Sequence, residues 1–325
     1  MPRLSICIPV WGNLKRLEDT LLSVLENRPD NCEVVVLLDE PYPDPYDLGD
    51  EVRFVHVPRG ATHGETLNFA LSICDAPIVH LLACGVEVRE GWADAALDRF
   101  CDPQVAVVAP VVLDGDRVNR VLAAGVGYAS GGSTELLGRG CHAEMAGQYC
   151  SQVLAPHLAA AFYRKSAWEM AGRFATDVGD DYPYLDLALA LEQTGLRTVL
   201  EPECRVVARA GCPAGAFRQA YDAERFFWRA APRGNWARSL VLHAVRVMLE
   251  ILVSFPRPAM LSRLAGRLCG MGEIGRRRQR FRPAKPLQPA LATAAAGPST
   301  ASLAAPHFRV DSAHRAEQSR AAASR

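Results

Sequence analysis

The stretch Cys32–Leu38 reads CEVVVLL, an unbroken run of β-branched and aliphatic residues after its first two positions. Such a run, without alternating polar positions, is typical of a strand that is buried on both faces of a sheet. Comparable apolar runs lie on either side of it along the chain, and we predict strands at Leu4–Pro9, Val52–Val57, Ile78–Leu82 and Val105–Val112. The centre of the sheet is therefore predicted to come from the first third of the chain.

Segments with helical spacing of apolar residues separate these runs. Apolar residues recur every three to four positions over Leu14–Leu25, and Gly64–Cys74 and Trp92–Phe100 are also predicted to be helices. Later in the chain we predict helices at Phe162–Met170 and Leu185–Gln193. Because strands that alternate with helices form parallel sheets with helices on both faces, we predict an α/β fold with a mostly parallel, Rossmann-like sheet.

The overall composition is that of a globular chain rather than of a disordered or fibrous one. Hydrophobic residues make up 49% of the 325 residues, and the mean hydropathy is +0.01. The 36 Lys and Arg residues balance 36 Asp and Glu residues, so the basic excess typical of nucleic-acid-binding proteins is missing and we expect no nucleic-acid partner. The ten cysteines include no CxxC pair, which argues against a structural zinc site.

The last part of the chain differs from the rest in both pattern and charge. Ala237–Phe255 has an apolar stripe at helical spacing, and Leu261–Met271 predicts a second amphipathic helix. Residues 273–325 contain ten basic and three acidic residues and become rich in Ala, Pro and Ser. We predict three regions, namely an α/β domain at residues 1–210, C-terminal helices at 211–275 and a disordered basic tail at 276–325.

The apolar stripe of the C-terminal helices has two interpretations. The simpler one is that it packs on the α/β domain. The other is peripheral docking on an anionic membrane, which the arginines at 276–278 would assist. The chain has no window of uncharged apolar residues long enough for a spanning helix, so we expect a cytoplasmic protein whose membrane contact is peripheral, at the inner face.

Five segments, in this order, resemble family-2 glycosyltransferases of the GT-A fold. They match the family's first strand and helix, its second strand, the helix and strand before the metal motif, the next helix and a late strand. The segments read LSICIPVWGNLKRLEDTLLSVLEN (4–27), CEVVVLLDE (32–40), HGETLNFALSICDAPIVHLL (63–82), GWADAALDRF (91–100) and EQTGLRTVLEPECRV (192–206). The resemblance implies a GT-A-like domain with a C-terminal helical extension, a nucleotide-diphosphate sugar as donor and a glycan or lipid-linked acceptor. For a bacterial member it also implies a part in building cell-surface or exported glycans.

The resemblance further implies which residues contact the donor nucleotide. The residues that match donor-contacting positions of the family are Asp39 at the end of the second strand, Pro9 and Val10 in the loop that lines the base pocket, and Gly64 and Asn68 at a helix start. The alternative for Asp39 is a strand-end residue that caps the following turn. The alternative for the last two is an ordinary helix N-terminus with an amphipathic face.

The metal motif of the family is missing at its expected place. Its Asp-x-Asp sequence, which in the family holds Mn²⁺ or Mg²⁺ against the diphosphate, corresponds here to Ala83-Cys84-Gly85. These side chains supply none of the hard oxygen ligands that such cations prefer, so metal dependence stays open. Basic side chains also offset diphosphate charge, and the candidates in or beside the matched segments are Arg59, Arg139, Arg164 and Lys165.

The catalytic base of the family has no counterpart at its aligned position, which reads Pro183-Tyr184. Asp186 matches the next acidic residue of the motif, and Asp181 or Asp180 reaches the same place with a small loop shift. We predict that Asp181 or Asp186 accepts the proton of the acceptor hydroxyl, and Asp180 stays open beside them. The alternative for each is an acidic residue that interacts with a helix N-terminus.

These departures leave two predicted functions. The first is a family-2-like glycosyltransferase that transfers a sugar from a nucleotide-diphosphate sugar to a glycan or lipid-linked acceptor. The second is a catalytically inactive, transferase-like protein that binds a nucleotide or a partner, because a fold does not by itself guarantee a reaction. Turnover of a nucleotide sugar separates the two.

Overall fold

The computed structural model describes residues 1–10, 14–209, 215–230, 235–255, 257 and 259–272. It confirms an α/β structure with a central sheet flanked by helices and a helical extension at the C-terminal end. The predicted boundary between residues 210 and 211 lies outside the described residues, and so does the predicted tail at 276–325.

The strands and helices are numbered in chain order. The strands are β1 (Leu4–Val10), β2 (Cys32–Leu38), β3 (Val52–His56), β4 (Ile78–Leu82), β5 (Val86–Glu87), β6 (Val105–Asp114), β7 (Val121–Ala123), β8 (Val126–Tyr128), β9 (Thr134–Leu136), β10 (Ala160–Arg164) and β11 (Arg197–Ala208). The helices are α1 (Leu14–Asn27), α2 (His63–Ile73), α3 (Asp94–Arg99), α4 (Lys165–Met170), α5 (Pro183–Gln193), α6 (Ala216–Ala230), α7 (Trp236–Ser254) and α8 (Ala259–Met271).

The main sheet has the strand order β3-β2-β1-β4-β10-β6-β11-β5, and β7 pairs with β6. Strands β1, β2, β3 and β4 are mutually parallel, and β1 pairs with β2 on one side and with β4 on the other. Helix α1 lies between β1 and β2 along the chain and α2 lies between β3 and β4, so both helices are part of crossovers between parallel strands. Four of the five predicted apolar runs therefore form these parallel strands, and the fifth forms β6.

The predicted helix at Phe162–Met170 is wrong in its first part. Residues Ala160–Arg164 form β10, which runs antiparallel between β4 and β6, and α4 begins only at Lys165. Two neighbouring strands offer backbone partners on both sides of this segment, and that pairing overrides its local helical spacing. The mostly parallel sheet thus contains an antiparallel strand near its centre.

The sheet is covered on both faces, as the unbroken apolar runs predict. Along β1, Ile6 and Ile8 join one buried cluster, which includes Leu17 of α1. Cys7 joins the cluster on the opposite face, which includes Leu67 of α2. Successive side chains of the strand point to opposite faces of the sheet, and each face packs against an apolar cluster.

The C-terminal extension consists of α6, α7 and α8. Helix α8 packs closely against α6, where Gly266 and Gly270 lie beside the backbone of Phe217 and Tyr221. No helix in the part of the chain that the structure describes is long and apolar enough to cross a membrane.

A buried amide joins α2 to the segment that leads to α5. The Asn68 Nδ2 donates to the Phe174 carbonyl at 2.9 Å, and its Oδ1 accepts from the Phe174 N–H at 2.9 Å and from the Trp168 indole N–H at 3.2 Å. Gly64, one turn earlier, lies so near this segment that a Cβ would stand 2.3 Å from the Ala175 carbonyl oxygen. Both residues are therefore used in packing.

We expect Asn68→Ala to lower the free energy of unfolding by about 2–4 kcal/mol, because it leaves buried groups of Phe174 and Trp168 without partners. Urea denaturation at neutral pH measures the change. Asn27→Ala is the matched control, since the Asn27 amide bonds only to Ser23 in its own helix. Equal stability of the two variants would contradict the packing role.

His80 of β4 lies fully buried in the sheet. Its Nδ1 donates to the Ala161 carbonyl at 3.2 Å, and its ring stacks on Phe162 with centroids 3.8 Å apart. Burial lowers the pKa of His80 from 6.5 to about 3. The ring is therefore neutral throughout the physiological pH range.

We expect the protein to lose stability as the pH falls below about 6.5, the unfolded pKa of histidine. Unfolded His80 takes up a proton there, whereas the buried ring does not, and this residue alone accounts for about 2 kcal/mol between pH 7 and pH 5. Burial lowers the pKa of His63 and of His157 to about 4, so they add to the same loss. Urea denaturation at both pH values should show a smaller loss for His80→Leu than for the natural chain.

Candidate functional site

The carboxyl ends of β1 and β4 border a crevice in the parallel part of the sheet. From β1 the chain crosses to β2 and β3 on one side, and it then returns to β4 on the other side. Ligands of open α/β sheets bind at such a reversal of strand order, where two loops diverge. The crevice is therefore the first place to look for the predicted donor site.

Three predicted donor-contacting residues meet at this edge. Pro9 and Val10 end β1 and pair in register with Leu37 and Leu38 of β2. Asp39 follows directly after β2 and is half-buried. The structure thus brings Pro9, Val10 and Asp39 together, although the loop that continues from Val10 at residues 11–13 lies outside the described residues.

The two predicted residues of α2 lie close to this edge but have other contacts. The Asn68 amide bonds to Phe174 and Trp168, and Gly64 packs against Ala175. Their contact with a nucleotide remains a prediction that these interactions do not support. His63, at the start of the same helix, has its Nε2 3.4 Å from the Tyr184 hydroxyl and so connects α2 to α5.

The turn after β4 has a structural role in place of metal ligation. The Gly85 N–H donates to the Thr20 hydroxyl at 2.8 Å, and the Val86 N–H donates to the Ala83 carbonyl at 3.2 Å. Burial raises the pKa of the Cys84 thiol to about 11, so this side chain is not a thiolate at neutral pH. Within the described residues, no three His, Cys, Asp or Glu side chains are arranged to hold a metal ion. The residues at this turn do not fit a divalent cation.

Asp186 makes a buried ion pair. Its carboxylate accepts from Arg229 Nε at 2.7 Å and from Arg229 Nη2 at 3.2 Å, and Arg229 also pairs with Asp177 at 3.1 Å. These contacts tie the start of α5 to α6. They favour a structural role for Asp186. Its role as catalytic base stays a prediction.

Asp181 lies just before α5, and its side chain is accessible to solvent. The pKa of this carboxyl is raised, first by loss of solvation and then by the nearby Asp180 and Asp222 carboxylates, while Arg218 opposes the shift. Gly179, with φ +86°, allows this loop to approach Asp222, because a Cβ there would lie 2.4 Å from the Asp222 carboxyl carbon. A raised pKa makes a carboxylate a stronger proton acceptor.

Asp181 lines a cavity of about 360 Å³ between the α/β domain and the helical extension. Its walls come from the start of α5, the β8–β9 hairpin, the segment around His157, and the inner faces of α6, α7 and α8. The His157 Nδ1 accepts from the Ala159 N–H at 3.2 Å. Burial lowers the pKa of His157 to about 4, so this wall residue is a neutral hydrogen-bonding group.

The far wall of the cavity carries three arginines. Arg267 pairs with Glu224 at 2.9 Å and with Glu250 at 2.5 Å, and Arg263 pairs with Glu250 at 3.4 Å. Arg246 donates to the Gly132 carbonyl, and among the described residues no carboxylate oxygen lies within 4.0 Å of its guanidinium. The pKa of Arg246 is lowered, first by burial and then by the neighbouring Arg267.

Sequence reasoning missed this cationic wall. Two of the four predicted charge-neutralising residues are held elsewhere: Arg164 donates to the carbonyls of Phe100, Asp102 and Val105, and Lys165 donates to the Cys74 carbonyl. Arg59 lies 3.9 Å from Glu40, next to Asp39, and Arg139 contributes to lowering the pKa of His157, so the role of these two stays a prediction. In the sequence, Arg246 only interrupts an apolar run. Its spacing from His243 and Glu250 places the three residues on one face of a helix, and that pattern could have indicated a polar wall.

Two curated relatives match short stretches of the chain. The pre-mycofactocin glycosyltransferase of Mycobacterium tuberculosis is 28% identical over 115 residues, which are 34% of this chain and 23% of that protein. The human polypeptide N-acetylgalactosaminyltransferase 12 is 28% identical over 126 residues, 34% of this chain and 21% of that protein. The chain thus spans less than a quarter of the length of these relatives.

Solved structures share the fold over a larger part. A mannosyltransferase from Pyrobaculum calidifontis, solved in complex with GDP-Man and Mn²⁺, superposes with a TM-score of 0.51 at 16% identity, over 84% of this chain and 87% of that one. Residues 1–349 of S. aureus TarS superpose with a TM-score of 0.55 at 12% identity, over 84% and 80% of the two chains. These likenesses establish the GT-A glycosyltransferase fold.

The family model described as glycosyl transferase family 2 matches residues 5–167, which is half of the chain. That stretch runs from β1 into α4 and includes the parallel strands β2, β3 and β4. The protein belongs to glycosyl transferase family 2.

Proposed function

We propose that the protein transfers a sugar from a nucleotide-diphosphate sugar to a hydroxyl of a glycan or lipid-linked acceptor. The observation that carries the proposal is Asp181, an accessible carboxylate of raised pKa in the wall of a 360 Å³ cavity. Tyr184 lines this cavity and its hydroxyl lies 3.4 Å from His63, at the start of the helix that carries Gly64 and Asn68.

In the proposed reaction the acceptor oxygen attacks the anomeric carbon of the donor sugar. The hydroxyl proton moves to Asp181, a bond forms between the acceptor oxygen and the anomeric carbon, and the bond from that carbon to the phosphate oxygen breaks. The electron pair leaves with the nucleoside diphosphate. The raised pKa of Asp181 suits this step, since it increases the driving force for accepting the proton.

Negative charge grows on the leaving diphosphate and has to be offset. The turn Ala83–Gly85 supplies no oxygen ligands for a cation, so no step is assigned to a metal at that turn. Arg246 is the cavity arginine without a carboxylate partner among the described residues, and we assign it the role of attracting the diphosphate. Asp39, half-buried at the end of β2, is the proposed contact to the base.

A second candidate function is nucleotide or partner binding without catalysis. The turn Ala83–Gly85 favours it, because three residues without oxygen side chains replace the family's metal motif. The similarity to known glycosyltransferases does not decide between transfer and binding without catalysis, because a shared fold does not imply shared catalytic residues.

The test of transfer is turnover of a panel of UDP- and GDP-sugars, measured as release of nucleoside diphosphate, with and without Mn²⁺. We expect Asp181→Asn to lower kcat at least about 100-fold and to leave the Kd of the donor unchanged, because the variant removes only the proton acceptor. Glu192→Gln is the matched control, as Glu192 is an exposed carboxylate on α5 outside the cavity. Full turnover by Asp181→Asn would remove that residue as the base, and donor binding without any turnover by the natural chain would favour the second function.

We expect Asp39→Ala to weaken binding of the donor nucleotide by about 1–3 kcal/mol, the cost of losing a charged hydrogen bond. Isothermal titration calorimetry with UDP and GDP measures the change. Glu40→Ala is the matched control, because Glu40 is the adjacent carboxylate, is exposed and lies 3.9 Å from Arg59. The same affinity in both variants would contradict the assignment of Asp39.

A further inference from the structure

Helix α7 turns its polar residues toward the protein. Ser239 and His243 are buried, and Arg246 and Glu250 are half-buried on the same side, at helical spacing. The His243 Nδ1 lies 2.9 Å from the Gly131 carbonyl oxygen, and its Nε2 lies 3.0 Å from the Glu224 carboxylate. The side chains of His243, Arg246 and Glu250 therefore have their partners inside the molecule.

The opposite face of α7 is apolar and points to solvent. Six of its side chains retain between 47% and 77% of their accessible surface, namely Val241, Val245, Met248, Leu249, Leu252 and Val253. A face of this size is unusual in an isolated soluble domain, since large contiguous apolar patches mark interaction surfaces. The outer residues of the predicted stripe therefore do not pack on the α/β domain, whereas Val247 and Ile251 are half-buried beside α8.

Aromatic and cationic residues border the apolar face at both ends. Trp236 is 61% exposed and Phe255 is 68% exposed, and the exposed Arg238 and Arg257 follow them two residues later in the chain. Between residues 235 and 272 the chain has five arginines and a single acidic residue, Glu250, which pairs with two of those arginines. The sequence then continues with Arg276, Arg277 and Arg278.

We propose that the outer face of α7 docks on the surface of an anionic lipid bilayer. Apolar side chains of an interfacial helix insert at the boundary of headgroups and acyl chains, and flanking arginines bind anionic headgroups. The same charge disfavours a second copy of this chain as the occupant, because two such surfaces would bring their arginines together. The opposite face of α7 lines the cavity with Arg246 and Glu250, so docking places the cavity within one helix diameter of the membrane.

The test is flotation of the full chain with vesicles of phosphatidylcholine alone and of phosphatidylcholine with about one-third phosphatidylglycerol. We expect binding to the anionic vesicles, reduced by about 0.5 M NaCl through screening. The double variant Met248→Ser with Leu252→Ser should bind about tenfold or more weakly, because both side chains would insert among the lipids. The matched control is Met170→Ser with Leu22→Ser, since those side chains on α4 and α1 are 63% and 60% exposed, as against 63% and 64% for the tested pair.

Full binding by the control, at unchanged thermal stability of both variants, would support the proposal. Three results would overturn it: no binding of the natural chain to anionic vesicles, equal binding to both kinds of vesicle, or undiminished binding of the tested double variant. Light scattering tests whether a second copy of the chain binds this face instead. A dimer of the natural chain that becomes a monomer in the tested double variant would assign the face to self-association. Vesicle binding is measured without donor or acceptor, so its failure leaves the proposed transfer reaction untouched.

Discussion

The position of β1 between β2 and β4 is the constraint on which the rest of the structure depends. All seven residues of β1 are buried, and the strand has a parallel partner on each edge. Its side chains can be buried only if helices cover both faces of the sheet, which the crossovers through α1 and α2 provide. The chain must reverse its direction of travel across the sheet after β3, and that reversal opens the crevice where Val10 and Asp39 lie together.

A second constraint orients the helical extension. The Glu224 carboxylate is buried and accepts hydrogen bonds from Trp228 in its own helix, from His243 of α7 and from Arg267 of α8. A buried charge is costly unless it is paired, so this carboxylate holds the three helices in one arrangement. The polar side of α7 therefore faces the interior, and its apolar side lies at the surface. The same network forms the far wall of the cavity, so the geometry of the site and the exposed face of α7 have one cause.

The site differs from the family pattern at two positions, the metal motif after β4 and the catalytic base before α5. The turn after β4 has lost oxygen ligands, while the aligned position of the base reads Pro183-Tyr184 and the proposed base, Asp181, lies just before it. Asp186, which matches the family motif more closely in sequence, is held by Arg229. The proposed chemistry therefore rests on groups that the fold brings together from α5 and α7, which are about sixty residues apart in the chain.

By itself the sequence determined the strands and helices of the parallel half, because their apolar patterns are local and strong. It also determined that Asp39 follows a buried strand and that the metal motif is missing, since both are matters of residue identity. Only the tertiary structure decided that residues 160–164 are a strand, because their partners come from β4 and β6. The contacts of Asn68 and Asp186, the cavity wall with Arg246 and the outward turn of α7 were decided in the same way. An amphipathic pattern shows that a helix has two different faces, but the partners that surround it select which face is buried.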